Sequence, residues 1–265
     1  MKLGFCFLCK NDIHQLDMWL NFFENNYDKI NIYIHSYDLE NVSQEFVKKY
    51  QVDKNIETIW GDIYEPIKYM GKLSKKNNDF KTILVSESTI PCKPFNYIYD
   101  YLTNDNLGFM SYVIRKEEMN NWDKNTLKMQ EDRYNNNCKN IENFKENVDY
   151  SHWFYNETWI IFNQEMIDLI LNDNKYYPHI KKGYAHDENY PVYLLSIHNK
   201  LNLCKNILTT YANWNVKHKS GSKRHPKLHD KVDEEFSEML KSTPNILFAR
   251  KFTDKSNISD FIKFN

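Results

Sequence analysis

The feature that most limits the fold is the run Lys2 to Lys10, KLGFCFLCK, which is nearly all apolar and carries charge only at its ends. A strand-length run without a polar face belongs inside a sheet covered on both sides, as parallel sheets are. Asp12 is placed to cap a helix whose apolar face carries Leu16, Trp19, Leu20, Phe22 and Phe23. Lys29 to Ser36 reads as a second strand, Leu39 to Tyr50 as a helix, and Ile56 to Trp60 as a short third strand. Thr82 to Val85 reads as a fourth strand, and Phe95 to Leu102 as a helix behind two prolines. Strands alternating with helices predict an α/β fold: a mostly parallel sheet with helices on both faces.

The second half continues with a strand at Glu157 to Phe162 and a helix at Gln164 to Leu171. A helix over His186 to Ile197 opens on acidic residues, with Pro191 in its first turn. Lys217 to Lys231 reads as a basic loop, Asn245 to Phe252 as a strand, and the polar stretch Asn135 to Asn147 as surface loop. No Pro- or Gly-rich linker separates the halves, so residues 1–265 are expected to form one domain, with halves 1–110 and 111–265.

Composition excludes some partners. The net charge is -1 over 265 residues and no long basic run occurs, so nucleic-acid binding is not expected. No apolar stretch reaches the roughly 18 residues of a membrane span, and the N-terminus makes a poor signal peptide. A soluble, cytoplasmic protein is the expectation, and the Asn-, Lys-, Tyr- and Ile-rich composition suits a viral or microbial source. The five cysteines include a C-x-x-C at Cys6 and Cys9 with no second pair at zinc spacing. On a strand those two side chains point to opposite faces, which favours core residues and a reducing compartment.

The stretch Ile83 to Phe95, ILVSESTIPCKPF, raises the question of function, because a core strand ends in Ser86, Glu87 and Ser88. In open α/β sheets, ligands bind beyond the carboxyl ends of the strands. Ser86 and Glu87 would face that crevice, as would His35 and Ser36 after the second strand; the alternative is that the serines cap the next turn. Asp187 and Glu188 either complement a helix dipole or supply a proton acceptor in a cleft. Lys223, Arg224, Arg250 and Lys251 are either solvated surface charges or a clamp for a pyrophosphate. Trp153 and Trp214 are either core residues or platforms for a sugar ring. No metal site is expected: H-E-x-x-H and Asp-x-Asp motifs are missing, as are P-loop, G-x-G-x-x-G and G-x-S-x-G motifs.

Taken in order, FCFLCKND, IYIHS at Ile32 to Ser36 and LVSESTIP at Leu84 to Pro91 resemble the core-2/I-branching glycosyltransferase family, in its plant-type branch. DRYN at Asp132 to Asn135, SHWF at Ser151 to Phe154, YYP at Tyr176 to Pro178, DENYP at Asp187 to Pro191, the Trp214 and His225-Pro226 region and LFARKF at Leu247 to Phe252 extend the resemblance. It implies a GT-A-like, Rossmann-related fold, with a nucleotide-sugar-binding first half and an acceptor and catalytic second half. It implies inverting, metal-independent sugar transfer to a glycan or other hydroxyl acceptor. The donor sugar would be N-acetylglucosamine from its uridine diphosphate, with no cofactor. Glu188 matches the family's base and Lys251 a residue that contacts the donor diphosphate, with Arg224 or Lys223 as the second cation. His35 and Ser36 fall on the donor side; Ser86, Glu87, Trp153, Asp187 and Trp214 line the cleft or the acceptor side. The alternative is a binding protein that has kept the fold and lost catalysis. Two departures stand out: LSKKNNDFK replaces a longer helix after Met70-Gly71, and Thr89 stands where some relatives have an aspartate.

Overall fold

The computed structural model describes residues 1–59, 61–214 and 226–258. Strand β1 (Leu3–Cys9) is buried along its whole length. Its side chains alternate between two cores: Cys6 and Leu8 enter one, while Phe5, Phe7 and Cys9 enter the other. Cys6 and Cys9 therefore lie on opposite faces, and all five cysteines are free thiols. Helix α1 (Leu16–Phe23) covers the second core with Trp19, Phe22 and Phe23. The Trp19 ring meets Phe7 edge-on at 4.9 Å, and Phe23 meets Phe5 at 5.1 Å, the geometry aromatic quadrupoles favour.

Strand β2 (Ile30–Ser36) runs parallel to β1, with Leu3 opposite Ile30 and Cys9 opposite Ser36. The helix expected over Leu39 to Tyr50 splits into a 3₁₀ turn, Leu39–Asn41, and helix α2 (Glu45–Tyr50). The cause is Asp12, whose carboxylate accepts the N–H groups of Ser43 and Gln44 and does not cap α1. The expected third strand, Ile56 to Trp60, is also not found over its described residues. Residues 56–59 form one bridge, Ile59 to Asp62, and Ile59 is 66% exposed. The outer edge of β2 is taken instead by Gln51, bridged to Ile34.

Helix α3 (Tyr64–Lys76) buries Tyr64, Ile67, Met70 and Gly71. Strand β3 (Lys81–Ser86) pairs in parallel with β1 on the side away from β2. A tight turn then leads to β4 (Ile90–Pro91) and to α4 (Phe95–Thr103), which starts after Pro94. After β5 (Gly108–Phe109) and β6 (Tyr112–Val113) comes the longest helix, α5 (Asn121–Asn140), followed by α6 (Phe144–Asn147). These two replace the loop expected at Asn135 to Asn147. The inward face of α5 is Thr126, Leu127, Gln130, Tyr134 and Asn137, so its helical spacing is carried largely by polar residues. Asn120 caps it, accepting the Asp123 N–H at 2.9 Å.

The strand expected at Glu157 to Phe162 is two pieces, β7 (Tyr155–Asn156) and β8 (Ile161–Asn163), with an irregular stretch between them. Helices α7 (Gln164–Asn172) and α8 (Tyr177–Ile180) follow, then a 3₁₀ turn at His186–Glu188, then α9 (Tyr190–Ile197) with Pro191 in its first turn. The chain continues through β9 (Cys204–Lys205), β10 (Thr210–Ala212), β11 (His229–Lys231) and α10 (Glu234–Ser242). It reaches β12 (Phe248–Arg250) and β13 (Phe252–Asn257), and the strand expected at Asn245 to Phe252 breaks at Lys251.

The main sheet has the order β2-β1-β3-β8-β5-β9, and only β8 runs against the rest. Helices α3, α7 and α9 pack on one face and α1 and α4 on the other. The architecture is the α/β fold the sequence pattern predicts. A smaller sheet, β10-β12-β4, is also present, and Arg250 ends its central strand. Among the described residues no helix is long and apolar enough to cross a membrane.

Candidate functional site

The carboxyl ends of β1, β2 and β3 open into a cavity of about 520 Å³. Leu8, Cys9, His35, Ser86 and Glu87 form its floor. The opposite wall comes from three interruptions of regular structure. Glu157, Thr158 and Trp159 lie between β7 and β8, Asp187 and Glu188 lie in the 3₁₀ turn before α9, and Arg250 and Lys251 lie at the break between β12 and β13. Trp214 and Pro226 close one side. Side chains at such breaks are not committed to a sheet face and can converge on the cavity.

The expected residues divide clearly. Glu188, Asp187, Lys251, Glu87, Ser86, His35 and Trp214 all line this one cavity. Ser36 does not: it is fully buried, and its hydroxyl is shared between the Lys10 and Asn11 carbonyls at 3.0 and 2.9 Å. Trp153 is likewise not a cleft residue. It is 0% exposed, its indole N–H donates to the Gln130 carbonyl at 3.1 Å, and its ring packs among Tyr134, Phe144 and Tyr193. Its neighbours are apolar enough to bury a large ring completely, so it serves as core. Lys223 and Arg224 lie outside the described residues.

The floor is largely self-satisfied. The Ser86 hydroxyl lies 3.0 Å from the Ser88 hydroxyl and 2.9 Å from that of Thr89, so Ser86 reaches the floor while its hydroxyl is also used within the turn. His35 is 1% exposed and its Nε2 accepts the Ile56 N–H at 3.0 Å, tying the loop to the end of β2. Burial lowers its pKa, so it is held as neutral imidazole.

The opposite wall is charged, and burial strains it. Asp187 is pushed up to about 7, first by burial and then by the charge of Glu188; the Thr158 hydroxyl donates to its Oδ2 at 3.2 Å. Burial also raises Glu157, although the Tyr155 hydroxyl donates to it at 3.0 Å. Among the cations, burial lowers Arg250 to about 10, and burial together with Arg250 lowers Lys251 to about 8. The Arg250 guanidinium lies over the Trp159 ring at 4.4 Å, a weakly hydrated cation on an aromatic face. Glu188 pairs with Arg133, whose Nη1 donates to Oε2 at 2.6 Å.

The wall thus combines a carboxylate able to accept a proton with two cations able to offset negative charge on a ligand. Among the described residues, no group of three or more His, Cys, Asp or Glu side chains is placed to hold a metal ion. Arg133, Glu157, Thr158 and Trp159 are the functional neighbours that periodicity does not reveal. The last three sit where the pattern reads as an unbroken strand, and Arg133 lies within a helix whose inward face is largely polar. Its only sequence signal is membership of the DRYN motif.

A comparison with curated proteins finds no match. A family model, Branch: Core-2/I-Branching enzyme, matches residues 3–240, which takes in the floor, the acidic turn and Trp214. An α/β sheet with a charged crevice at its strand ends is consistent with the GT-A-like fold of that family. The chain belongs to the Core-2/I-branching enzyme family and is a glycosyltransferase.

Proposed function

We propose that the protein transfers a sugar, with inversion and without a metal ion, from a nucleotide-diphosphate donor to a hydroxyl of a glycan acceptor. The observation that carries this reading is that Glu188 and Lys251, 63 positions apart by number (251 less 188), line the same cavity. Glu188 takes the proton of the acceptor hydroxyl as its oxygen attacks the anomeric carbon. The bond from that carbon to the diphosphate oxygen breaks, and the electron pair leaves with the nucleoside diphosphate. Lys251, with Arg224 or Lys223, offsets the charge that develops there, the work a divalent ion does elsewhere. His35 borders the donor, with Ser36 holding the loop behind it, and Ser86 and Glu87 line the cleft. Trp214, at 39% exposure, offers a ring face to a sugar. N-acetylglucosamine from its uridine diphosphate is the donor this reading favours. Residues 1–110 would then mainly carry the donor, while 111–265 supply the acceptor side, the base and the diphosphate clamp. The five free thiols suit a reducing compartment.

The experiment is release of nucleoside diphosphate from a panel of nucleotide sugars, with excess chelator and with added manganese. Activity that survives the chelator is expected, and dependence on manganese would overturn the metal-free mechanism. Glu188→Gln is expected to lower turnover about 100-fold or more, the scale of a lost general base, while calorimetric affinity for UDP holds. Near-normal turnover would remove Glu188 from its role.

A further inference from the structure

Glu188 does not stand alone on its turn: its orientation is set from outside, by α5. Two α5 residues one helical turn apart, Gln130 and Arg133, reach two consecutive residues of the acidic turn. The Gln130 side-chain oxygen accepts the Asn189 Nδ2–H at 2.8 Å, and that amide also donates to the Phe154 carbonyl. Arg133 donates to Glu188 Oε2 at 2.6 Å. Gln130 is fully buried, and its own backbone carbonyl accepts the Trp153 indole N–H, so α5 is fixed to the core at this point. The Arg133 and Glu188 side chains are only 18% and 19% exposed, so water screens the pair less than it does a surface ion pair. The guanidinium also lies 5.9 Å from the Tyr184 ring centroid. Among the described residues Glu188 Oε1 has no hydrogen-bond partner, so one carboxylate oxygen is clamped and the other is left for a proton.

We propose that Arg133 is the positioning residue for Glu188, the 2.6 Å ion pair from α5 fixing which carboxylate oxygen faces the acceptor hydroxyl. The inference rests on the reading of Glu188 as the base. A general base acts only within hydrogen-bond reach of the proton it removes, and a misplacement of about 1 Å can cost about 100-fold. A glutamate on a one-turn 3₁₀ segment has three free side-chain torsions, and a charge-assisted bond from a rigid helix removes that freedom. Arg133 need not touch donor or acceptor to matter.

The test compares Arg133→Gln, Arg133→Lys, Glu188→Gln and the double variant Arg133→Gln/Glu188→Gln. Turnover is read as UDP release from UDP-N-acetylglucosamine, or from whichever nucleotide sugar in the panel is cleaved. UDP affinity is read by calorimetry, and melting temperature alongside. Arg133→Gln is expected to lower kcat about 10- to 100-fold, with donor KM and UDP affinity within about twofold. Arg133→Lys should recover part of the loss, because it keeps the charge but not the planar fork. In the Glu188→Gln background Arg133→Gln should cost nothing further, since an orienting group has no effect once the oriented one is gone. Wild-type kcat in Arg133→Gln beside an inactive Glu188→Gln would overturn the positioning role and leave the base in place. Losses that multiply in the double variant would also overturn it, including any that arise from poorer folding. An active Glu188→Gln would instead remove the base reading and this inference with it.

Discussion

The two sides of the cavity were made by opposite means. The floor is the end of regular structure: β1, β2 and β3 stop together, and their last polar groups satisfy one another, as the Ser86, Ser88 and Thr89 hydroxyls do. The facing wall is made where regular structure fails, between β7 and β8, before α9 and between β12 and β13. There the groups are not all satisfied internally: among the described residues Asp187 Oδ1 and Arg250 Nε are buried without a hydrogen-bond partner. Ionisation is disturbed in the same places, with Asp187 up to about 7 and Lys251 down to about 8. A surface that has settled its own hydrogen bonds shapes a ligand's space, while one left under electrostatic strain gains most when a ligand arrives.

The contrast can be broken by substitution. The largest effect is expected from Lys251→Ala, which should weaken calorimetric UDP binding about tenfold or more by removing a charge-assisted contact, whereas Ser86→Ala on the floor should change it about threefold at most. Equal losses from the two would erase the distinction between the sides. Acidity sharpens it next. Lys251 carries its proton below about pH 8 and loses it above, so UDP affinity should fall as pH rises through that value in the wild type and not in Lys251→Ala. A profile that keeps its shape in the variant would assign the titration elsewhere.

Asp187 gives a smaller effect, on stability. In the folded chain it keeps its proton up to about pH 7, whereas an unfolded aspartate releases it at about 4. Between those values the native state binds more protons, so this residue's contribution is present at low pH and is lost as pH rises through about 7. Asp187→Asn should therefore gain melting temperature relative to the wild type as pH is raised from about 4 to 7.5. A constant difference across that range would contradict the assignment. The smallest effect is expected behind the floor: Ser36→Ala leaves the Asn11 carbonyl short of a donor, while the Lys10 carbonyl keeps the Asp38 N–H, and should cost about 1–3 kcal/mol in urea unfolding, with UDP affinity unchanged. A large loss of affinity there would make Ser36 a ligand contact after all.

The same contrast explains what could be read from the residues alone. β1, β2 and β3 are legible because burial on both faces demands continuous apolar runs, and the crevice follows from where those runs end. Glu188 and Lys251 came from resemblance, not from periodicity, since nothing in the spacing of DENYP or FARKF says that the two converge. Trp153 was misplaced because an aromatic cluster looks the same whether it faces solvent or core. The α5 helix is not legible in the sequence because Gln130 and Asn137 hold inward positions that usually go to apolar side chains. Ile56 to Trp60 read as a strand because local β preference cannot show that a neighbouring edge has already been taken by Gln51.

Thr89 bears on what a single substitution could do to the turn that ends β3. It is 0% exposed; its hydroxyl bonds the Ser86 N–H and hydroxyl, its own N–H donates to the Ser86 carbonyl, and its carbonyl takes the Trp19 indole proton. An aspartate installed there would bury a negative charge among groups already spoken for. Packing sets the limit: the turn would have to be rebuilt before it could accommodate a carboxylate at this position.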